Sequence, residues 1–201
     1  MPRSKQCEDA RKYLTEQELK QFLAVIKSVR DRAIFTLCYW RGLRAAELGR
    51  IPWSDWDQKK RKIYISRLKR SLAGEFPLSP GETKALQAWK EVRGDQPGPM
   101  FPSRETRSFE RTEKGKQAPG ISRGMVWVLF QKYAEQARLP EDLRHPHCLK
   151  HSIGTHLIAK GAGLYDVKDW LGHRDIKSTM VYAQMRNAER DSAARKIYEQ
   201  G

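Results

Sequence analysis

Across 201 residues the chain carries 39 Lys and Arg against 24 Asp and Glu, a formal net charge of +15 at a pI near 9.9. That excess favours a polyanionic partner, nucleic acid above all, although a solvated basic surface or a ribosome-bound protein has the same composition. No apolar run approaches the ~20 residues of a membrane crossing, and the opening MPRSKQCEDARKYLT lacks the apolar centre of a signal peptide. Cys7, Cys38 and Cys148 are too scattered for a disulfide framework and suit a reducing cytoplasm.

Residues 1–12 are polar and read as a flexible lead into a single domain. Thr15-Glu16-Gln17-Glu18 is a capping box, and Leu19, Phe22, Leu23 and Ile26 follow at helical spacing. A second helix, roughly 30–40, is expected to bury Ile34, Phe35, Leu37 and Cys38 and to stop at Arg41-Gly42. Lys62-Ile63-Tyr64-Ile65-Ser66 alternates as a strand, with Glu75-Phe76-Pro77-Leu78 as its return and a short basic hairpin between them. Ser79-Pro80-Gly81-Glu82 supplies the cap, first-turn proline and capping glutamate of another helix, which turns Leu86 and Trp89 inward and ends near Gly94.

Met100-Phe101-Pro102-Ser103 predicts a brief buried piece ahead of a long mobile loop at about 103–120, rich in Pro, Gly and charge. Its Arg104, Arg107, Arg111, Lys114 and Lys116 suit DNA phosphates and a solvated loop equally well. Ser122 caps an amphipathic helix to about Arg138 that buries Val126, Leu129, Phe130 and Tyr133. A tail helix is expected at about 187–199.

Two stretches carry chemistry. The first, Arg41 to Leu48, reads R-G-L-R-A-A-E-L and is trailed by Ile51-Pro52-Trp53-Ser54-Asp55-Trp56-Asp57. The second begins H-x-x-K-H, where His147, Lys150 and His151 share one helical face. It turns at Gly161 and Gly163, passes through Leu171-Gly172-His173, and reaches Tyr182 nine residues after that histidine. In order and spacing these boxes resemble the catalytic domain of the tyrosine recombinases (phage integrase family). The stretches ISRLKRSLAGEFPLSPGETKALQAW and HPHCLKHS are similar to the short fimbrial phase-switch invertases of that family.

The resemblance runs from Tyr13 to the C-terminus and implies a catalytic domain over 13–201. The separate N-terminal DNA clamp of most members is missing, as in a fragment or in the short members. The implied fold is α+β, mainly α-helical, with a small antiparallel sheet carrying the catalytic lysine. The implied activity is site-specific DNA recombination through a 3′-phosphotyrosine, with integration, excision or inversion as the outcome. Arg44, Lys69, His147, Lys150, His173 and Tyr182 are the implied catalytic set, with Arg70 the other candidate for the hairpin lysine. Lys150 stands where the family has arginine, so a weakened or inactive relative acting as a DNA-binding or accessory protein is the alternative.

The implied partners are double-stranded DNA, further copies forming a tetramer on paired sites, and accessory DNA-bending proteins, in the bacterial cytoplasm at the nucleoid. The family's tail helix docks on a neighbouring protomer; packing on its own domain is the other reading here. No cofactor is implied.

The residue types suit that reaction. A phenol with a reference pKa near 10 must lose its proton as it attacks, and His147 or His173 could accept it. Charge developing on phosphate oxygens calls for fixed cations, the role of Arg44 and Lys150 with help from His173. The departing 5′-oxygen needs a proton, for which Lys69 is the candidate. Outside this pattern, Leu-Gly-His is an ordinary loop and Tyr182 an ordinary core tyrosine. His147 and His151 also have the spacing of a zinc helix, with His145 and Cys148 nearby; the Glu of such sites is absent and Lys150 puts a cation between the ligands, so no metal is expected.

Overall fold

The computed structural model describes residues 11–68, 71–103 and 119–183. Helix α1, Glu16–Val25, starts at the anticipated box: the Thr15 hydroxyl accepts from the Glu18 N–H at 3.2 Å, and the Glu18 carboxylate accepts from the Thr15 N–H at 2.8 Å. Helix α2, Val29–Trp40, is capped by Ser28 and buries every residue from Ala33 to Tyr39. A helix apolar on all sides belongs at the centre of a domain. Accordingly α2 packs against α1, against α4 (Pro80–Arg93) and against α6 (His147–Ala159). Phe22, Phe35 and Phe130 lock α1 and α2 to α5 (Arg123–Gln136), with ring centroids 4.7–5.7 Å apart.

The chain leaves α2 through Gly42, whose φ of +54° favours glycine and whose missing Cβ would stand 2.4 Å from the Leu171 side chain. That approach sets the turn ahead of the short helix α3, Ala45–Leu48, against Leu171, just past the end of α7, Leu164–Trp170. The sheet follows in the order β1 (Trp56–Asp57), β2 (Lys62–Ile65), β3 (Gly74–Pro77), all antiparallel, with Ile63 opposite both Trp56 and Phe76. Ile63 and Ile65 point into the core and Tyr64 outward, as the alternation predicts. The return strand begins at Gly74 rather than Glu75. β1 was not anticipated, because two residues carry no readable period.

Met100 and Phe101 form the expected buried piece, with the Met100 carbonyl accepting from the Trp89 indole at 3.0 Å. Helix α5 stops two residues short of expectation, at the Ala137 cap before Arg138 with its φ of +54°. Residues 177–183 are helical, α8, the last helix among the described residues. The lead 1–10, the hairpin residues Lys69 and Arg70, loop positions 104–118 with their basic side chains, and the tail helix at 187–199 lie outside the described residues. Among the described residues no helix is long and apolar enough to cross a membrane.

Helix α6 is fixed against the chain's beginning. The His156 Nε2 faces the Leu14 carbonyl at 2.9 Å and must donate to it, leaving Nδ1 to accept from the Tyr39 hydroxyl at 2.9 Å. The Leu14 N–H donates to Ser152 Oγ at 2.8 Å. On the other side of α2, Arg41 and Glu82 form an ion pair with side chains 1% and 0% exposed, Nε to Oε1 at 2.8 Å, and the guanidinium stacks 4.3 Å from the Trp170 ring centre.

A buried pair depends on both partners. Glu82→Gln keeps the capping geometry of α4 but leaves Arg41 without its counter-charge, and should cost about 3–5 kcal/mol in urea unfolding. The double variant Arg41→Met/Glu82→Leu should recover most of that loss. A single-variant cost below about 1 kcal/mol would mean that water solvates the pair.

Candidate active site

Glu47 sits at the third position of α3 with no solvent exposure and organises the cations around it. It accepts from the Arg44 N–H at 2.9 Å, the Arg44 guanidinium at 3.0 Å and the Leu68 N–H at 3.0 Å, and lies 3.5 Å from Arg67. Burial would raise its pKa, but these N–H groups and the Arg67 charge hold it below the ordinary carboxylate range. Arg67 is itself buried. It donates to the carbonyls of Arg41 at 2.7 Å, Gly42 at 3.3 Å and Trp170 at 3.2 Å, joining the first sequence box to the end of α7.

Arg44 keeps 28% of its side chain exposed and reaches the hairpin, donating to Ser71 Oγ at 3.0 Å and the Leu68 carbonyl at 3.3 Å. The Leu72 N–H donates to the Gly172 carbonyl at 2.9 Å. Hairpin residues on both sides of Lys69 and Arg70 are thus tied to the two sequence boxes, while those two residues lie outside the described set.

The second box arrives on α6. His147 opens the helix and is exposed at its solvent side, while protein packed around the rest of its ring, then the charges of Lys150, His145 and Arg44, lower its pKa. Lys150 is 3% exposed and, among the described residues, has one hydrogen bond, to the Leu171 carbonyl at 3.3 Å. Burial, reinforced by Arg67 and Arg44, brings its pKa down to about 7. His173 is buried with Nδ1 3.0 Å from the Thr179 hydroxyl, and burial followed by the charges of Lys150, Arg44 and Arg67 brings it to about 4. The charges of Arg44 and Lys150 thus act on both His147 and His173, so these four groups, drawn from three separate segments, lie within electrostatic reach of one another.

Tyr182 approaches the same helix from α8. It is 1% exposed, and burial alone raises its pKa. Its ring lies against Gly154 and 5.9 Å from the His151 ring centre. His147 and His151 meet edge to face at 4.7 Å, Cys148 is buried in the core, and no three His, Cys, Asp or Glu side chains among the described residues group to hold a metal.

Four further residues belong to this arrangement: Glu47, Arg67, His151 and Gly154. Glu47 was visible as the acidic position of the first box. His151 was visible as a face-mate of Lys150, and Gly154 continues that stripe by one more turn. Arg67 had no signal, since a charged residue in a basic hairpin reads as solvated.

The model of the phage integrase family matches residues 12–189. Type 1 fimbriae regulatory protein FimB of Escherichia coli (strain K12) is 31% identical over 176 residues, covering 86% of this chain and 84% of that protein. Tyrosine recombinase XerA of Thermococcus onnurineus is also 31% identical over 176 residues, but this chain covers only 58% of it. In fold, the crystal structure of XerA recombinase matches with a TM-score of 0.73 at 22% identity, covering 94% of this chain and 64% of that one. XerH recombinase bound to its difH substrate before cleavage matches with a TM-score of 0.67 at 19% identity, covering 90% of this chain and 53% of that one.

The depressed Lys150 has a consequence for stability. The native state disfavours the ammonium, so the unfolded chain binds the extra proton between about pH 7 and the ordinary lysine value of 10.5. The penalty is absent above that window and complete below it. Lys150→Met should therefore stabilise the fold below pH 7, by about 1.4 kcal/mol for each unit of depression. The gain in urea midpoint should shrink to nothing as pH approaches 10.5, and a gain independent of pH would assign it to packing.

Proposed function

The chain belongs to the phage integrase family, and from that premise we propose that it is a site-specific DNA recombinase acting through Tyr182. The observation that carries this reading is the imbalance of charge in the pocket. Arg44 and Arg67 pair with one carboxylate, Glu47, whose oxygens are already engaged, and Lys150 lies within electrostatic reach of all three. Such a pocket is suited to a bound phosphodiester.

In the proposed reaction the Tyr182 oxygen attacks the scissile phosphorus, forming a 3′-phosphotyrosine as the bond to the 5′-oxygen breaks. Arg44 and Lys150 hold the non-bridging oxygens, with His173 assisting and His147 at the rim. Lys69 gives the departing 5′-oxygen its proton. The phosphotyrosine keeps the ester bond energy, so a 5′-hydroxyl can reverse the step without ATP. The Tn1549 transposon integrase, similar in fold with a TM-score of 0.70 and solved in complex with circular intermediate DNA, supports DNA as the partner, which we take to be double-stranded. The proposal extends to a catalytic domain over 13–201, a tetramer on paired sites, accessory DNA-bending proteins, and action at the bacterial nucleoid.

Duplexes selected by binding from a random library, nicked to trap the intermediate, provide the test. The unaltered protein should form a covalent adduct and Tyr182→Phe should form none at similar DNA affinity. An adduct persisting in Tyr182→Phe would move the nucleophile elsewhere, with Tyr198 next to examine. Failure to cleave any duplex that binds would leave the protein a non-catalytic DNA-binding relative. If ~5 phosphates are neutralised, the log–log salt slope of binding should be about −4 to −5.

Lysine in place of arginine gives the reaction a pH dependence. A phosphate beside Lys150 favours the ammonium, raising its pKa from about 7 and drawing in a proton on binding. Adduct formation should fall as pH rises through the value in the complex, because the neutral amine cannot neutralise the phosphate. Lys150→Arg stays charged and forks onto two oxygens; it should flatten that decline and speed cleavage. A slower Lys150→Arg would mean that the pocket is built around lysine. Lys150→Ala should lose on the order of 10²–10³ in rate.

A further inference from the structure

The face of α6 that bears His147 and Lys150 runs on through His151 to Gly154. Gly154 is buried in mid-helix, where glycine costs about 1 kcal/mol relative to alanine. Tyr182 supplies the reason for it. A Cβ at Gly154 would stand 2.6 Å from Tyr182 Cζ and 2.7 and 2.8 Å from the two Cε atoms. The hydroxyl-bearing end of the ring thus occupies space that any side chain at this position would fill.

The neighbour one turn back is His151, its ring centre 5.9 Å from that of Tyr182. Its Nδ1 is buried and makes no hydrogen bond. A buried polar atom left unpaired costs about 1–3 kcal/mol, so it calls for an explanation. Among the described residues the Tyr182 hydroxyl has no hydrogen-bond partner either. The other two histidines are less suited to it: His173 has its Nδ1 engaged by Thr179, and His147 is exposed at the start of the helix.

Building on the recombinase reading above, we propose that His151 is the catalytic residue that accepts the Tyr182 proton. As the Tyr182 oxygen bonds to phosphorus, its O–H bond breaks and the proton passes to His151 Nδ1, while the 5′-oxygen leaves with a proton from Lys69. In rejoining, the phenolate oxygen leaves phosphorus and takes its proton back from the imidazolium. The two rings are adjacent without yet being hydrogen-bonded, as is common before substrate tightens a catalytic pair. Burial, then the charges of His147, His145, Lys12 and Lys150, hold His151 at about 4, so at neutral pH the ring is uncharged and one of its two nitrogens is open to a proton, Nδ1 in the tautomer that carries its hydrogen on Nε2. The negative scissile phosphate favours the imidazolium once the proton moves.

The experiment measures adduct formation on the nicked duplexes described above. His151→Gln, which keeps the volume without the base, should lose about 10²–10⁴-fold in rate at unchanged DNA affinity and thermal midpoint. His151→Gly should lose as much and recover substantially when imidazole is added, a response that a purely structural histidine would not give. Gly154→Ala displaces the Tyr182 ring and should lose rate without imidazole rescue. If His151→Gln cleaves within a few-fold of the unaltered protein, or if imidazole rescues His147→Gly and not His151→Gly, the inference is overturned while the recombinase reading stands. Absence of any adduct from the unaltered protein removes both.

Discussion

A single buried carboxylate sets the charge pattern of the candidate site. Glu47 has no contact with solvent, and a buried anion persists only when it is paired and hydrogen-bonded. Its partners come from the cap of α3 and from the hairpin after β2, so satisfying one side chain draws two separate parts of the chain together. Arg67, held there by Glu47, then satisfies carbonyls at Arg41, Gly42 and Trp170. The same guanidinium that balances Glu47 lies close enough to Lys150 to depress it. The structural glue and the electrostatics of the pocket are therefore one set of interactions.

Much of the fold was legible because its helices begin with local chemistry. Thr15 with Glu18, and Ser79 with Glu82, form the capping boxes that their letters suggest, and the apolar periods behind them face the core. The boxes of the candidate site were legible as spacing: Arg44, His147, Lys150, His173 and Tyr182 lie on elements that converge, although sequence alone could not say how near. β1 escaped because two residues have no period. Arg67 and Arg41 escaped for a deeper reason. Whether an arginine is solvated or buried depends on a counter-charge 20 or more residues away, at Glu47 for one and Glu82 for the other. No local rule reports that.

His151 and Gly154 show the converse limit. Their shared face with Lys150 was open to inspection, yet a helical stripe of small and polar residues has many uses. Only the arrival of the Tyr182 ring from α8, a separate part of the chain, gives Gly154 its meaning. Only burial makes the empty nitrogen of His151 notable. Side chains whose role depends on a partner brought by the fold gain that role at the level of packing.

Lys150 joins these levels. An arginine in its place would remain cationic whatever surrounds it, and the pocket would hold three permanent guanidiniums around one carboxylate. A lysine can shed its proton when the pocket is empty, which relieves repulsion from Arg44 and Arg67, and regain it when an anion arrives. The charge of the pocket then follows its occupant. What the substitution gives up is the planar fork that holds two oxygens in fixed geometry. Among the described residues the Lys150 ammonium donates only to the Leu171 carbonyl, just ahead of Gly172 and His173, so one weak hydrogen bond and the attraction of Glu47 do little to offset the burial of its charge.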